Sequence, residues 1–182
     1  MLANLPRKSA KSAAKRVRRL VPIPKEYMEA IPVGQSIFPT LFQFENGLRL
    51  AIHKHLAGLY GSDWWERSMR ANLPQIYDDA EDKRTNRASM PWIGSSARTP
   101  VLPIHLVTLG QLEEIVKKYQ AECIPDLFPT LDFFTGHMVC IKRVRNLYAH
   151  MFPCLETRDG QLVKSEVRVL AWHLISKLSQ KP

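Results

Sequence analysis

Hydrophobic residues recur along most of this chain at intervals of three and four, the spacing of amphipathic helices. Helices are predicted over residues 41–60, 64–73, 109–119 and 131–151, and from residue 165 onward, with a charged helical fragment within 78–84. No segment alternates convincingly between apolar and polar residues, so we expect almost no sheet. The pattern therefore predicts an all-α fold with about five helices.

Prolines mark the predicted start of the folded domain. Residues 20–40 contain Pro22, Pro24, Pro32 and Pro39. Proline interrupts helices, so this density predicts an extended connector. We therefore divide the chain into a basic, Pro-containing N-terminal extension, residues 1–40, and a helical domain, residues 41–182.

Further breaks are predicted inside the domain. Residues 78–104 are polar and Pro-rich, which predicts the charged helical fragment followed by a long loop. Trp92 in that loop is expected to pack as an anchor, with stacking on a base as the alternative. Thr108 and Gln111 have the spacing of a capping box at the start of a helix. Asp159 and Gly160 predict a turn before the last helix.

The formal charge of +9 is concentrated in the N-terminal extension. Residues 1–25 hold eight of the 26 basic residues and no acidic residue, whereas the rest carries 18 basic and 17 acidic residues. A basic tail attracts polyphosphates such as RNA or ribosomes. A solubilising arm, a targeting peptide and a segment bound by a neutralising partner are the alternatives.

The remaining composition excludes several classes of protein. No apolar run is long enough to cross a membrane. The three cysteines, an odd and sparse set, indicate a reducing compartment such as the cytoplasm and no disulfide framework. His53 and His55 are two residues apart, and no familiar metal-ligand spacing occurs, so neither a metal site nor a cofactor is expected.

The helix over 131–151 carries the candidate chemistry. Its polar or small residues follow helical spacing on one face: Lys142, Arg145, Asn146, Ala149 and His150. Arginine binds phosphate through a planar fork of donors, and histidine transfers protons near neutral pH. The opposite face, which includes Met138, Ile141, Val144, Leu147, Tyr148 and Met151, is predicted to face the core. An arginine and a histidine on one helix are also commonly plain surface residues.

A second pair of charged residues lies on the first predicted helix. Glu45 and Arg49 are four residues apart, the spacing of an intrahelical ion pair. We expect them to lie on a face that adjoins the apolar one.

Three blocks of sequence carry a resemblance to a known family: Phe44–Arg49 with Tyr60–Trp65, His105–Ile115, and Ile141–Met151, which contains Arg145-Asn146-x-x-x-His150. They resemble the HEPN superfamily, and within it the group named after a fungal nuclear mRNA-surveillance endoribonuclease. The resemblance spans roughly residues 41–178 and implies a HEPN-like helical bundle. It also implies a homodimer whose paired motifs cleave RNA without a metal.

The resemblance assigns roles to the candidate residues. Arg145 and His150 would be catalytic, and Asn146 a supporting polar group beside Lys142. Glu45 and Arg49 would orient the pocket.

The resemblance also implies a biological setting. Small HEPN ribonucleases often act as toxins or in defence against phage, with a cognate inhibitor or antitoxin. Some toxin members carry a tyrosine, modified by a partner enzyme, two positions after the motif histidine, where this chain has Phe152. Inactive members serve as dimeric RNA-binding, nucleotide-binding or adaptor modules, and that is the alternative function. A purely structural helical module is the third.

Overall fold

A computed structural model describes residues 24–86, 101–124, 126–149 and 157–178 of the chain. These residues form helices and connecting turns without any strand, which confirms the all-α prediction. The α-helices are α1 (Lys25–Tyr60), α2 (Arg70–Asn72), α3 (Pro74–Thr85), α4 (Leu109–Lys118), α5 (Gln120–Cys123), α6 (Leu131–Ala149) and α7 (Thr157–Leu178). A π-helical turn, Trp65–Met69, precedes α2, and a 3₁₀ turn, Pro103–Leu106, precedes α4.

Helix α1 begins sixteen residues before the predicted start at residue 41, at Lys25. The predicted extended connector is therefore wrong for residues 25–40, where the helix continues through Pro32 and Pro39. Both prolines are exposed, as is Gln35, whose carbonyl loses its helical partner at Pro39, so water can solvate that carbonyl. Burial of Ile37 in the core offsets the cost of the interruption.

The end of α1 agrees with the prediction. Gly61 follows Tyr60 with a φ of 91°, a conformation that favours glycine, and its N–H bonds to the carbonyl of Ala57. The chain then turns so that Trp64 and Trp65 enter the core. The predicted second helical segment is present as the π-helical turn and α2, and Pro74 begins α3.

Helix α4 begins with the predicted capping box. The Thr108 hydroxyl accepts a hydrogen bond from the Gln111 N–H at 3.2 Å, and the Thr108 N–H donates to the Gln111 side chain at 2.7 Å. Each side chain thereby satisfies a backbone donor that the helix leaves unpaired. Trp92, by contrast, lies outside the described residues.

The predicted turn at Asp159 and Gly160 is wrong, because α7 begins at Thr157 and runs through both residues. Gly160 is buried against α1. A Cβ built on it would lie 3.4 Å from Ile37 Cδ1 and 3.7 Å from Val33 Cγ1. A single added carbon would therefore be at ordinary contact distance, whereas a larger side chain would have to displace Ile37.

Helix α7 packs extensively against both α1 and α6. Helix α4 packs against the same two helices, α1 and α6. The core they share includes the fully buried side chains Leu48, Ile52, Leu112, Ile115, Phe134, Met138, Ile141 and Leu170. Met138, Ile141 and Val144 lie in the core as predicted, whereas Leu147 and Tyr148 are only half-buried. Met151 lies outside the described residues.

A helix that crosses a bilayer must be both long and strongly apolar. Among residues 24–178, apart from the gaps given above, no helix combines sufficient length with sufficient apolar character.

Candidate functional site

Arg145 lines an open pocket between α1 and the C-terminal end of α6. The pocket has a volume of about 280 Å³. Its lining consists of Phe38, Leu41, Phe42, Glu45, Asn46, Arg49, Arg145, Tyr148 and Ala149. We call it the Arg145 pocket. It brings together three of the residues predicted from the sequence, namely Arg145, Glu45 and Arg49.

The guanidinium of Arg145 faces a carboxylate across this pocket. Its Nε lies 4.0 Å from Glu45 Oε2, too far for a hydrogen bond but close enough for charge attraction. The Arg145 side chain is 33% exposed and the Glu45 side chain 17%. The Arg145 guanidinium is therefore partly exposed, and its contact with Glu45 is electrostatic and not a hydrogen bond.

Arg49 holds Glu45 from the other side. The predicted ion pair is confirmed, with Arg49 Nη2 bonded to Glu45 Oε1. Arg49 also donates from Nη2 to the Val107 carbonyl at 2.8 Å and from Nη1 to Asn46 Oδ1 at 3.3 Å. Because its side chain is only 10% exposed, Arg49 is a fixed part of the structure that orients the carboxylate facing Arg145.

Charges within the pocket sum to a net positive value. Arg49 and Arg145 each contribute one positive charge, and Glu45 contributes one negative charge. Glu45 offsets the buried Arg49, with which it is hydrogen-bonded, more directly than it offsets Arg145. The accessible charge in the pocket is therefore that of Arg145, which suits a phosphate or another anion.

Three aromatic rings complete the pocket. The Phe38 centroid lies 5.8 Å from that of Phe42 and 5.9 Å from that of Tyr148. We refer to Phe38, Phe42 and Tyr148 as the aromatic cluster. Helical spacing of four residues puts Phe38 and Phe42 on the same face of α1.

Lys142 lies apart from the Arg145 pocket and pairs with Glu113 of α4. Glu113 is buried and also contacts Lys117 Nζ at 2.5 Å. Burial alone raises the pKa of the Glu113 carboxyl. Hydrogen bonds and charges from Lys117 and Lys142 outweigh burial and hold that pKa below its ordinary value of 4.5. These contacts give Lys142 a structural partner.

Asn146 and His150 complete the residues predicted for the site. Asn146 is exposed and does not line the Arg145 pocket. His150 lies outside the described residues, directly after Ala149, which lines the pocket. The last described residue of α6 therefore lies at the pocket.

The described histidines have surroundings of their own. Trp64 Nε1 donates to His53 Nδ1 at 3.1 Å, and His55 Nε2 donates to the Glu122 carbonyl at 2.6 Å. Burial lowers the pKa of His53. Burial, followed by the charges of Arg49 and His53, lowers the pKa of His105. No described histidine lines the Arg145 pocket.

Five residues that line the pocket are not predicted as site residues from the sequence: Phe38, Leu41, Phe42, Asn46 and Tyr148. Phe38 lay in the predicted connector, and Tyr148 was assigned to the core. A signal was present, since residues 38, 42, 45, 46 and 49 follow the spacing of one helical face. The spacing predicts this face only if the helix extends through Pro39 toward the N-terminus, as it does in the structure.

Metal ligation and similarity to known proteins are two further indicators of function. Among the described residues, no group of three or more His, Cys, Asp or Glu side chains is arranged to hold a metal ion. Comparisons with protein-family models, with curated proteins and with solved structures gave no match.

Proposed function

We propose that this chain is an endoribonuclease of the HEPN type, which cleaves RNA without a metal by attack of a ribose 2′-hydroxyl. The observation that carries the proposal is the placement of Arg145, the first residue of the Arg-Asn-x-x-x-His motif. It lines an open pocket with its charge only partly offset and its side chain partly exposed. An accessible guanidinium of this kind suits a phosphodiester.

Arg145 is assigned to the scissile phosphate. Its guanidinium would bind the non-bridging oxygens and neutralise the charge that grows on them in the transition state. Glu45, fixed by Arg49, would hold the guanidinium in position by charge without occupying its donors. Glu45 and Arg49 would therefore affect the substrate only by positioning Arg145.

His150 is assigned to proton transfer. The sequence contains six histidines, and none of the five in the described part of the chain lines the Arg145 pocket. His150 follows Ala149, which does line it. As a neutral imidazole it would take the proton from the 2′-oxygen, which then bonds to phosphorus.

The leaving group needs a proton as well. The bond between phosphorus and the 5′-oxygen breaks, and a second imidazolium protonates that oxygen, giving a 2′,3′-cyclic phosphate and a 5′-hydroxyl. We assign this acid to His150 of a second copy, because one histidine per chain does not easily serve as acid and base in one step. The active form would then be a homodimer with two-fold symmetry.

The other residues of the predicted site are given supporting roles. Asn146, exposed on α6, is proposed to bind the phosphate or the imidazole of the partner copy. Lys142 would contribute through its contact with Glu113, by fixing α6 against α4. A toxin or defence role, with an inhibitor protein as partner, follows from the HEPN resemblance.

The proposal is tested by incubating the purified chain with RNA and analysing the product ends by mass spectrometry. Wild type is expected to give 2′,3′-cyclic phosphate and 5′-hydroxyl ends. His150→Ala and Arg145→Ala are each expected to abolish cleavage while circular dichroism and light scattering match wild type. Arg143→Ala, an exposed neighbour on α6, is the matched control and should cleave normally. Near-normal cleavage by His150→Ala would overturn the mechanism.

A second candidate is a HEPN dimer that binds RNA or nucleotides without cleaving them, or acts as an adaptor. The observation that favours it is Glu45, whose negative charge beside Arg145 weakens the attraction for phosphate. The same experiment separates the two functions. RNA binding that depends on Arg145, with no cyclic-phosphate ends at any protein concentration, would support the second candidate.

A further inference from the structure

The aromatic cluster leaves large apolar surfaces in contact with water. Phe42 is 58% exposed and Phe38 49% exposed, although both belong to a helix whose other face is in the core. Exposed aromatic rings that adjoin one another frequently mark binding sites, because covering them releases water from apolar surface. The ring of Tyr148 extends the same surface onto α6.

Phe38 contacts both other rings of the cluster without stacking parallel on either. Its interplanar angles are 37° to Phe42 and 35° to Tyr148. Neither pair is a parallel stack. A planar group that stacked on one of the exposed rings would therefore not have to replace a parallel stack within these two pairs.

The rings and the guanidinium of Arg145 line the same pocket. A nucleotide combines the two chemistries that these groups recognise, since its base offers a flat aromatic face and its phosphate offers anionic oxygens. The pocket has a volume of about 280 Å³ and opens to solvent. A compact anion would use Arg145 but not the rings.

We infer that the aromatic cluster is a nucleobase-binding subsite that stacks one base of single-stranded RNA next to the phosphate bound by Arg145. The inference rests on the proposed RNA substrate and adds that this RNA is single-stranded. Bases within a duplex are already stacked and paired, so their faces are not accessible to protein rings. Because every base has such a face, the subsite selects unpaired RNA with little preference for sequence.

The test measures binding of two fluorescent probes by anisotropy. One is a short 2′-O-methyl oligouridylate, which lacks the attacking hydroxyl and cannot be cleaved by the proposed route. The other is its abasic counterpart, which keeps the phosphates and loses the bases. Phe42 is exposed, so Phe42→Ala, Phe42→Leu and Phe42→Tyr should all keep the wild-type circular dichroism spectrum.

Loss of one stacking contact is expected to weaken oligouridylate binding about 5- to 100-fold. Phe42→Ala and Phe42→Leu should both show this loss, because leucine keeps apolar volume but not an aromatic face. Phe42→Tyr should bind as wild type. Trp172→Ala, which removes an exposed aromatic side chain from α7 outside the pocket, is the matched control and should also bind as wild type.

Three results would overturn the inference. Phe42→Ala could bind oligouridylate as tightly as wild type, or it could lose equal affinity for both probes, which would exclude base stacking. Light scattering could instead show that Phe42→Ala converts a dimer into a monomer, in which case a second copy covers the rings.

Cleavage of ordinary RNA by the same preparations separates this inference from the proposed function. Ring-dependent oligouridylate binding without cleavage by wild type would refute the nuclease and leave the base subsite intact. Cleavage by wild type that is equally fast in Phe42→Ala, with unchanged probe binding, would refute the subsite and leave the nuclease intact.

Discussion

Arg145 Nε and Glu45 Oε2 lie 4.0 Å apart across the boundary between α6 and α1. Glu45 is bonded to Arg49, and Arg49 is bonded to the Val107 carbonyl immediately before the capping box of α4. A continuous series of contacts therefore connects the helix that carries Arg145 with two other parts of the bundle. The position of Arg145, the accessible cation among the described residues that line the pocket, depends on residues that are themselves largely buried.

This arrangement predicts opposite effects of Glu45→Gln on binding and on cleavage. The amide keeps the shape of the side chain but removes its negative charge, so RNA should bind at least as tightly as to wild type. Cleavage at saturating RNA should slow, because Arg145 loses the charge that orients it. Single-turnover rates and anisotropy measure the two quantities. Weaker RNA binding by Glu45→Gln would contradict the assignment of Glu45 as a positioning residue.

The same substitution should also lower the free energy of unfolding. Arg49 would remain buried without a carboxylate, which we expect to cost about 1–3 kcal/mol in urea unfolding. Glu29→Gln is the matched control, since Glu29 forms an i,i+4 pair with Lys25 on the same helix but both side chains are mostly exposed. Its effect should stay below about 1 kcal/mol.

Arg145→Lys tests whether the shape of the guanidinium matters in addition to its charge. Lysine keeps the positive charge but cannot form two parallel hydrogen bonds to phosphate oxygens. We expect RNA cleavage to fall about 10- to 100-fold with little change in the salt dependence of binding. Arg143→Lys, on the same helix and exposed, should retain wild-type rates. Equal rates for Arg145→Lys and wild type would show that charge alone suffices.

The sequence predicts parts of this fold well for identifiable reasons. Helix α6 has a complete apolar face and begins within one residue of its predicted start, and the Thr108 capping box specifies the start of α4 locally. Pro39 and the Asp159-Gly160 pair misled the interpretation, because their local preferences are overridden by packing between α1 and α7. Such packing depends on residues more than a hundred positions apart.

The candidate site shows the same limit. Residue type and spacing identify Arg145 as a candidate and predict the Glu45–Arg49 ion pair, the resemblance assigns that pair to the site, and the structure brings all three residues into one pocket. The sequence does not assign Phe38 to this pocket, because a helix that begins at residue 41 does not include it. Lys142 shares a helical face with Arg145 in the sequence, yet the contact with Glu113 draws it away. Spacing identifies a face of a helix, whereas its neighbours decide what each side chain contacts.

Gly160 predicts how closely α1 and α7 must approach. Gly160→Ala should raise the free energy of unfolding by up to about 1 kcal/mol, since its Cβ would make ordinary contact with Ile37 and alanine favours helix. Gly160→Leu should lower it by about 1–3 kcal/mol, because the longer side chain must displace Ile37. Gly136→Leu on α6, where the added Cβ meets open space, is the control and should not destabilise. Thermal unfolding of all three variants measures these differences. A Gly160→Leu variant as stable as wild type would contradict the close packing of α1 and α7.

Glu113 predicts how the stability of the chain responds to acid. Lys117 and Lys142 hold the pKa of its carboxyl below 4.5 in the folded state despite burial, so the folded state binds a proton less readily than the unfolded state. The stabilisation from Glu113 is therefore complete above pH 4.5 and is lost as the pH falls through the lowered pKa. Glu113→Gln should be less stable than wild type at neutral pH, by about 1–3 kcal/mol in urea unfolding, and the difference should shrink below pH 4.5. Glu114→Gln, the exposed neighbour, should follow the wild-type profile throughout. A Glu113→Gln deficit that persists unchanged in acid would show that the side chain stabilises by packing and not by its charge.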